Sequence, residues 1–143
     1  MTVKQLSVFV ENKPGKLAEA LEALSGAEID LRALSLADTS DFGILRAIVD
    51  KPDHAVEVLS NAGFLVKTID VLAVVVGDKP GGLASVVRIL SEAGVDIEYT
   101  YAFVAHSSDN AYVILRVGNN DAAVNILTKS GITLLTAKEM YNL

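Results

Sequence analysis

The sequence predicts an α+β fold of two consecutive βαββαβ modules with antiparallel sheets packed side by side, residues 1–69 and residues 70–143. Three observations carry this reading: an internal repeat, the same order of strand and helix patterns in each copy, and the lack of any linker between them. Asn12-Lys13-Pro14-Gly15-Lys16-Leu17 returns as Asp78-Lys79-Pro80-Gly81-Gly82-Leu83, an offset of 66 (79 − 13). At the same offset Ala27, Ile29, Asp30 and Leu31 fall on Ala93, Val95, Asp96 and Ile97, so the likeness outlasts the Pro-Gly punctuation that two unrelated turns might share. Ile44-Leu45-Arg46 then matches Ile114-Leu115-Arg116 at an offset of 70 (114 − 44), and Ala55, Val56, Leu59 and Gly63 match Ala123, Val124, Leu127 and Gly131 at 68 (123 − 55). On this reading the second copy has four extra residues around His106 to Asn110, a polar cluster suited to a hairpin tip.

The elements follow in order. Leu6, Val8 and Val10 alternate as a half-buried strand does, and Pro-Gly marks the start of a helix with Leu17, Leu21 and Leu24 on one face. Leu83, Val86, Val87 and Leu90 make a fuller stripe at the matching place in the second copy. Ile29, Leu31 and Ala33 alternate, but Leu34 and Leu36 take the other parity, which predicts a bulge in the second strand. Asp38 to Asp41 supplies a hairpin turn and Phe42 to Val49 the third strand. Pro52-Asp53 opens the second helix and Gly63 stops it; Asp121 caps the equivalent helix, Gly131 stops it, and Ile132 to Leu135 is the last strand. Phe64 to Ile69 runs directly into Val71 to Val76. Modules this small bury only ~60% of their unfolded surface, so intimate association through a shared or adjoining sheet is expected.

Composition narrows the function. At 51% hydrophobic and 21% charged, the chain is a packed globular protein. Its apolar runs fall short of the ~20 residues of a membrane helix, and its start lacks a secretory apolar segment, so a soluble cytoplasmic protein is expected. The absence of cysteine excludes disulfides and thiolate chemistry. A net charge of −6 argues against a nucleic-acid partner, because affinity for phosphate backbones comes from clustered cations. His54 and His106 stand at unmatched places with no ligand or nucleophile pattern, so no cofactor, metal site or enzymatic activity is expected.

The candidate site is the repeated strand-to-helix junction: Asn12, Lys13, Pro14, Gly15 and Leu17 in one copy, and Asp78, Lys79, Pro80, Gly81 and Leu83 in the other. Unpaired amides at a helix start attract an anion, and a residue without Cβ lets the ligand approach the backbone. Asp30 and Asp96 open the second strands, each expected to face the strand-helix junction of the other module and to supply acceptors for an ammonium group, so the set suits the two charged groups of a free amino acid. The plainer reading, in which Pro-Gly only starts a helix and each aspartate is a solvated turn residue, stays open beside it. Tyr99, Tyr101 and Phe103 share a face as core or as a pocket lining. Arg46 and Arg116 fall outside this site.

In its order of elements, the Asn/Asp-Lys-Pro-Gly-x-Leu loop and the Gly94-Val95-Asp96-Ile97 stretch, the chain resembles the ACT domain family twice over, with the ferredoxin-like fold of that family. The resemblance implies a regulatory protein that binds an amino acid at interfaces between modules, a homodimer, and association with an enzyme of amino-acid metabolism. In serine-binding members an asparagine in the first loop and another at the second strand contact the ligand. Their places here hold Asn12 and Asp30, then Asp78 and Asp96; Val10 and Val76 replace a histidine often found two residues earlier. These exchanges argue for a ligand other than serine. A subunit that contacts a metabolic enzyme without binding a small molecule is the alternative.

Overall fold

The structure is a computed structural model that describes residues 1–38, 41–103 and 109–143. The first unit runs β1 (Val3–Glu11), α1 (Lys16–Gly26), β2 (Leu31–Asp38), β3 (Phe42–Val49) and α2 (Pro52–Asn61). It continues through β4 (Leu65–Gly77) into α3 (Gly82–Glu92), β5 (Ile97–Ala102), β6 (Asn110–Val117), α4 (Asn120–Lys129) and α5 (Ala137–Tyr141). All six strands form one antiparallel sheet in the order β2-β3-β1-β4-β6-β5.

β4 holds the two units together. No glycine, proline or asparagine interrupts Leu65 to Val76, so nothing turns the chain and one strand of 13 residues crosses the Ile69–Asp70 junction. Its first half pairs with β1, from Val3↔Val71 to Phe9↔Leu65, and its second half pairs on the other side with β6, from Leu72↔Leu115 to Gly77↔Asn110.

Even-numbered residues of β1 and β4 face the helices. Leu6, Val8 and Val10 meet Ala20 and Leu24 of α1 and Ala55 and Leu59 of α2. Leu72, Val74 and Val76 meet Val86 and Leu90 of α3 and Ala123 and Leu127 of α4. Each fully buried aliphatic side chain stabilises the fold by about 1.5–3 kcal/mol.

The opposite face, which carries none of helices α1 to α4 and only the short α5, turns inward. The sheet curls until its outermost strands touch through an isolated bridge, Ala33↔Phe103. Size complementarity fits the contact: β2 carries Ala33, Ser35 and Ala37, whereas β5 carries Tyr99 and Tyr101 and is followed by Phe103. Val3, Ile48, Val71, Ala73 and Ile114 fill the space between, with Leu135 and Met140 from the C-terminal segment. Gln5, on β1, is fully buried there. Its Nε2 donates to the Tyr99 hydroxyl at 2.8 Å and to Ser7 Oγ at 3.1 Å, and its Oε1 accepts from the Tyr101 hydroxyl at 2.7 Å. These bonds join the first unit to the second. Burial pushes the Tyr101 phenol well above its ordinary range, with the Tyr99 hydroxyl adding and Arg46 opposing.

Several expectations need adjustment. Gly43 pairs with Val10 and Ala111 with Val76, so the third strands align at an offset of 68 (111 − 43), not 70. The second copy therefore has two extra residues rather than four, Arg46 corresponds to Ile114, and Arg116 to Ile48. The proposed hairpin tip around His106 lies outside the described residues, as does the middle of the Asp38–Asp41 turn. Asn119 caps α4, accepting from the Ala122 amide at 3.1 Å, while Asp121 sits in the first turn. The expected last strand is reduced to the Val74↔Leu134 bridge, flanked by Val75 N to Thr133 O at 2.9 Å and Leu135 N to Ala73 O at 2.8 Å. The expected bulge is present, as a register shift between Leu31 and Ala33, and recurs between Ile97 and Tyr99.

Candidate functional site

Lys13-Pro14-Gly15-Lys16 is a type II turn. Lys16 N donates to Lys13 O at 3.2 Å, Pro14 sits at the second position, and Gly15 takes the positive φ of 89° that the third position requires. Lys79-Pro80-Gly81-Gly82 repeats it, with Gly82 N to Lys79 O at 3.1 Å and Gly81 at φ 87°. Pro14 and Pro80 thus lie before their helices, and the third residue of each turn, Gly15 or Gly81, is the N-cap. A glycine cap has no side chain to bind the next amides. The first turn of α1 accordingly leaves donors at Leu17 and Ala18 for an external acceptor. Asn12 N to Asp41 O and Asp78 N to Asp109 O, both 3.2 Å, tie the two loops to the following hairpins in the same way.

The first loop borders a cavity of about 420 Å³, at the small end of the range for small-molecule sites. Asn12, Lys13, Pro14, Gly15 and Leu17 all line it, together with Leu36, Asp38 and Gly43. Asp38 accepts from Asn12 Nδ2 at 3.0 Å. It sits beside the loop because β2 ends level with the end of β1, with β3 between them, a placement that depends on strand lengths and leaves no local signal in the sequence. A carboxylate thus lines the same cavity as the donor-rich start of α1.

Asp30 is not in this cavity. It stands at the other end of β2, and a strand of 8 residues spans ~26 Å. Its carboxylate pairs with Arg32 Nη1 at 2.6 Å, and Arg32 Nη2 donates to Tyr141 O at 3.0 Å. Asp96 is at the matching end of β5, in a shallow depression with Gly118 and Asn119. Among the described residues, neither aspartate therefore meets a loop within this chain, in its own unit or in the other: the first-loop cavity takes no residue from the second unit, and the depressions at Asp30 and Asp96 take none from either loop. In the second loop Asp78, Lys79, Pro80 and Gly81 are exposed, and Leu83 contributes to a groove along α3 with Val87 and Arg88. His54 is exposed on α2, and no cluster of metal-binding side chains occurs among the described residues.

No helix is long and apolar enough to cross a membrane among the described residues. A family model described as an ACT domain pair matches residues 1–143. The crystal structure of protein BT0572 from Bacteroides thetaiotaomicron is similar at 41% identity and a TM-score of 0.94, covering 100% of this chain and 98% of that one. The ligand-free regulatory subunit of aspartate kinase from Thermus thermophilus shares the fold at 20% identity and a TM-score of 0.63, covering 89% of this chain and 91% of that one. The corresponding subunit from Thermus flavus does so at 19% and 0.61, covering 90% and 92%. A comparison with curated proteins gave no match.

Proposed function

The chain belongs to the ACT domain pair family, and on that premise we propose that it is a non-catalytic regulatory protein that binds a free amino acid. The observation that carries this reading is the cavity bordered by Asn12 to Gly15, where helix-start amides suit an α-carboxylate and Asp38 with Asn12 suits an α-ammonium. A ligand there touches Leu36 with its side chain. Asp30 enters the proposal through a second copy, whereas Asp96, at the start of β5, stays outside it. Antiparallel apposition of two β2 edges carries the Asp30 end of one strand toward the Asp38 end of the other, and Leu34 and Leu36, 38% and 48% exposed, give that edge an apolar surface. A homodimer therefore belongs to the proposal, with modules divided near Ile69–Asp70 and a cytoplasmic enzyme of amino-acid metabolism as the regulated partner. The likeness to subunits described as regulating aspartate kinase supports that choice of partner.

The existing Asp30–Arg32 pair favours a second reading, in which the chain contacts an enzyme without binding a small molecule. Calorimetry with a panel of amino acids separates the two. A selective ligand, weakened ten-fold or more by Asp38→Ala, supports the first; no heat and no thermal stabilisation at millimolar concentrations supports the second. Sedimentation with and without ligand tests the dimer, and a monomer under both conditions removes it. Asp30→Ala with unchanged affinity limits the site to the loop and Asp38.

A further inference from the structure

The inward face of the sheet holds a second cavity, remote from the turn. Ser7 on β1 is directly opposite Arg46 on β3 and directly opposite Lys67 on β4. One small residue thus lies between two long cations in a single row across three neighbouring strands, with the flanking Cα atoms ~10 Å apart. The gap above Ser7 opens into a cavity of about 310 Å³. Phe9, Ile44 and Ile69 give it apolar walls, and Tyr99 and Arg116 come from the other unit.

The charges here run against the rest of the molecule. The chain has 12 Lys and Arg against 18 Asp and Glu, yet this cavity has Arg46, Lys67 and Arg116 against Glu98 alone. Arg116 is engaged, pairing with Glu98 at 3.0 Å and donating to Asp70 O at 3.2 Å. Arg46 and Lys67 have no carboxylate partner among the described residues; each lies near an aromatic ring instead. The Arg46 guanidinium lies 3.8 Å from the Tyr99 ring centroid, a stacking that fixes its plane and leaves its N–H edge for an acceptor. Lys67 Nζ stands 6.0 Å from the Phe9 ring centroid. Ser7 is buried, and its Oγ accepts from Gln5, so its own proton is left to donate toward the same gap.

We propose that this cavity binds a small dianion through carboxylate or phosphoryl oxygens, held edge-on by Arg46, by the Ser7 hydroxyl and by Lys67, with its carbon skeleton against Phe9, Ile44 and Ile69. A fixed guanidinium and a mobile ammonium on opposite sides of a hydroxyl suit two anionic charges. Because Tyr99 comes from the second unit, an occupant bridges the two halves of the sheet.

The test is titration of the full chain with inorganic phosphate, succinate and acetate at constant ionic strength, read by NMR amide shifts and calorimetry. The expected result is saturable binding of phosphate, succinate or both, with a Kd on the order of 1 mM or below, and acetate at least ten-fold weaker. Phosphate alone identifies a phosphoryl ligand, and succinate alone a dicarboxylate. Shifts should centre on Ser7, Arg46 and Tyr99 and leave residues 12–17 unmoved, which separates this site from the amino-acid cavity. Arg46→Gln and Lys67→Gln should each weaken binding ten-fold or more, while Lys129→Gln, on a distant helix, should not. Arg46→Lys keeps the charge without the fork and should fall between wild type and Arg46→Gln, which holds the test if the glutamine variant misfolds. Absence of saturable binding by both dianions, shifts centred elsewhere, or wild-type affinity in both glutamine variants overturns the proposal.

Discussion

Gln5 is the sharpest place to test how the inward face is held together. It is fully buried and makes three side-chain hydrogen bonds, two of them to tyrosines nearly a hundred residues away. In Gln5→Leu the shape is roughly kept and the bonds are lost. The Tyr101 hydroxyl, largely buried, is then left without its acceptor, at about 1–3 kcal/mol, whereas half-exposed Tyr99 regains water and contributes less. The expected loss is about 2–4 kcal/mol. Tyr101→Phe should lose about 1–2 kcal/mol, because one Gln5 oxygen is stranded. The double variant removes both ends of that bond, so its loss should be smaller than the sum by about 1 kcal/mol. Urea unfolding followed by circular dichroism measures all three from the midpoint at constant slope.

The Tyr101 phenol adds a pH signature of known sign. Its pKa is raised in the folded state, so its contribution is fully present below the unfolded value of 10.0 and declines as the pH rises above it. Tyr101→Phe should flatten that alkaline decline. Additivity of the two substitutions within ~0.3 kcal/mol, or a loss below ~0.5 kcal/mol in Gln5→Leu, would refute the claim that this bonding joins the two units.

Other substitutions test other parts of the fold. A Cβ on Gly82 would stand 2.2 Å from the Gly77 backbone oxygen, which no side-chain rotation relieves, so Gly82→Ala should cost about 3 kcal/mol or more in thermal or urea melts. In Gly15→Ala the new Cβ meets nothing within 4 Å, so the expected loss in urea melts is only the ~1 kcal/mol of a positive φ. Met140→Ala should cost about 2–5 kcal/mol by urea unfolding, since α5 inserts this fully buried side chain between the units.

The repeated Asn/Asp-Lys-Pro-Gly loop and its periodic flanks made the order of elements legible, down to the bulge near Leu31. The Ile-Leu-Arg match failed for a physical reason. Strand side chains alternate with period two, so a slip of two residues keeps every side chain on its face and leaves the apolar pattern undisturbed; only pairing to β1 and β4 shows that Arg46 stands where the other copy has Ile114. The α5 helix is too short for periodicity to reveal. Its one local mark was Thr136 three residues before Glu139, which form a reciprocal capping box. Five of the loop residues chosen from sequence do line a cavity together, but Asp38 joined them through the lengths of β2 and β3, and Asp30 was carried away by the same strand.

The contrast between the small residues of β2 and the rings of β5 also bears on how a duplicated gene can diverge. Two copies of the first half set inward face to inward face would leave a void where Tyr99, Tyr101 and Phe103 now sit, and two copies of the second half would collide ring against ring. The halves have become complementary, like a plug and its socket. Replacing one half by a copy of the other would therefore need compensating changes on this face, and a larger residue at Ala33 calls for a smaller one at Phe103.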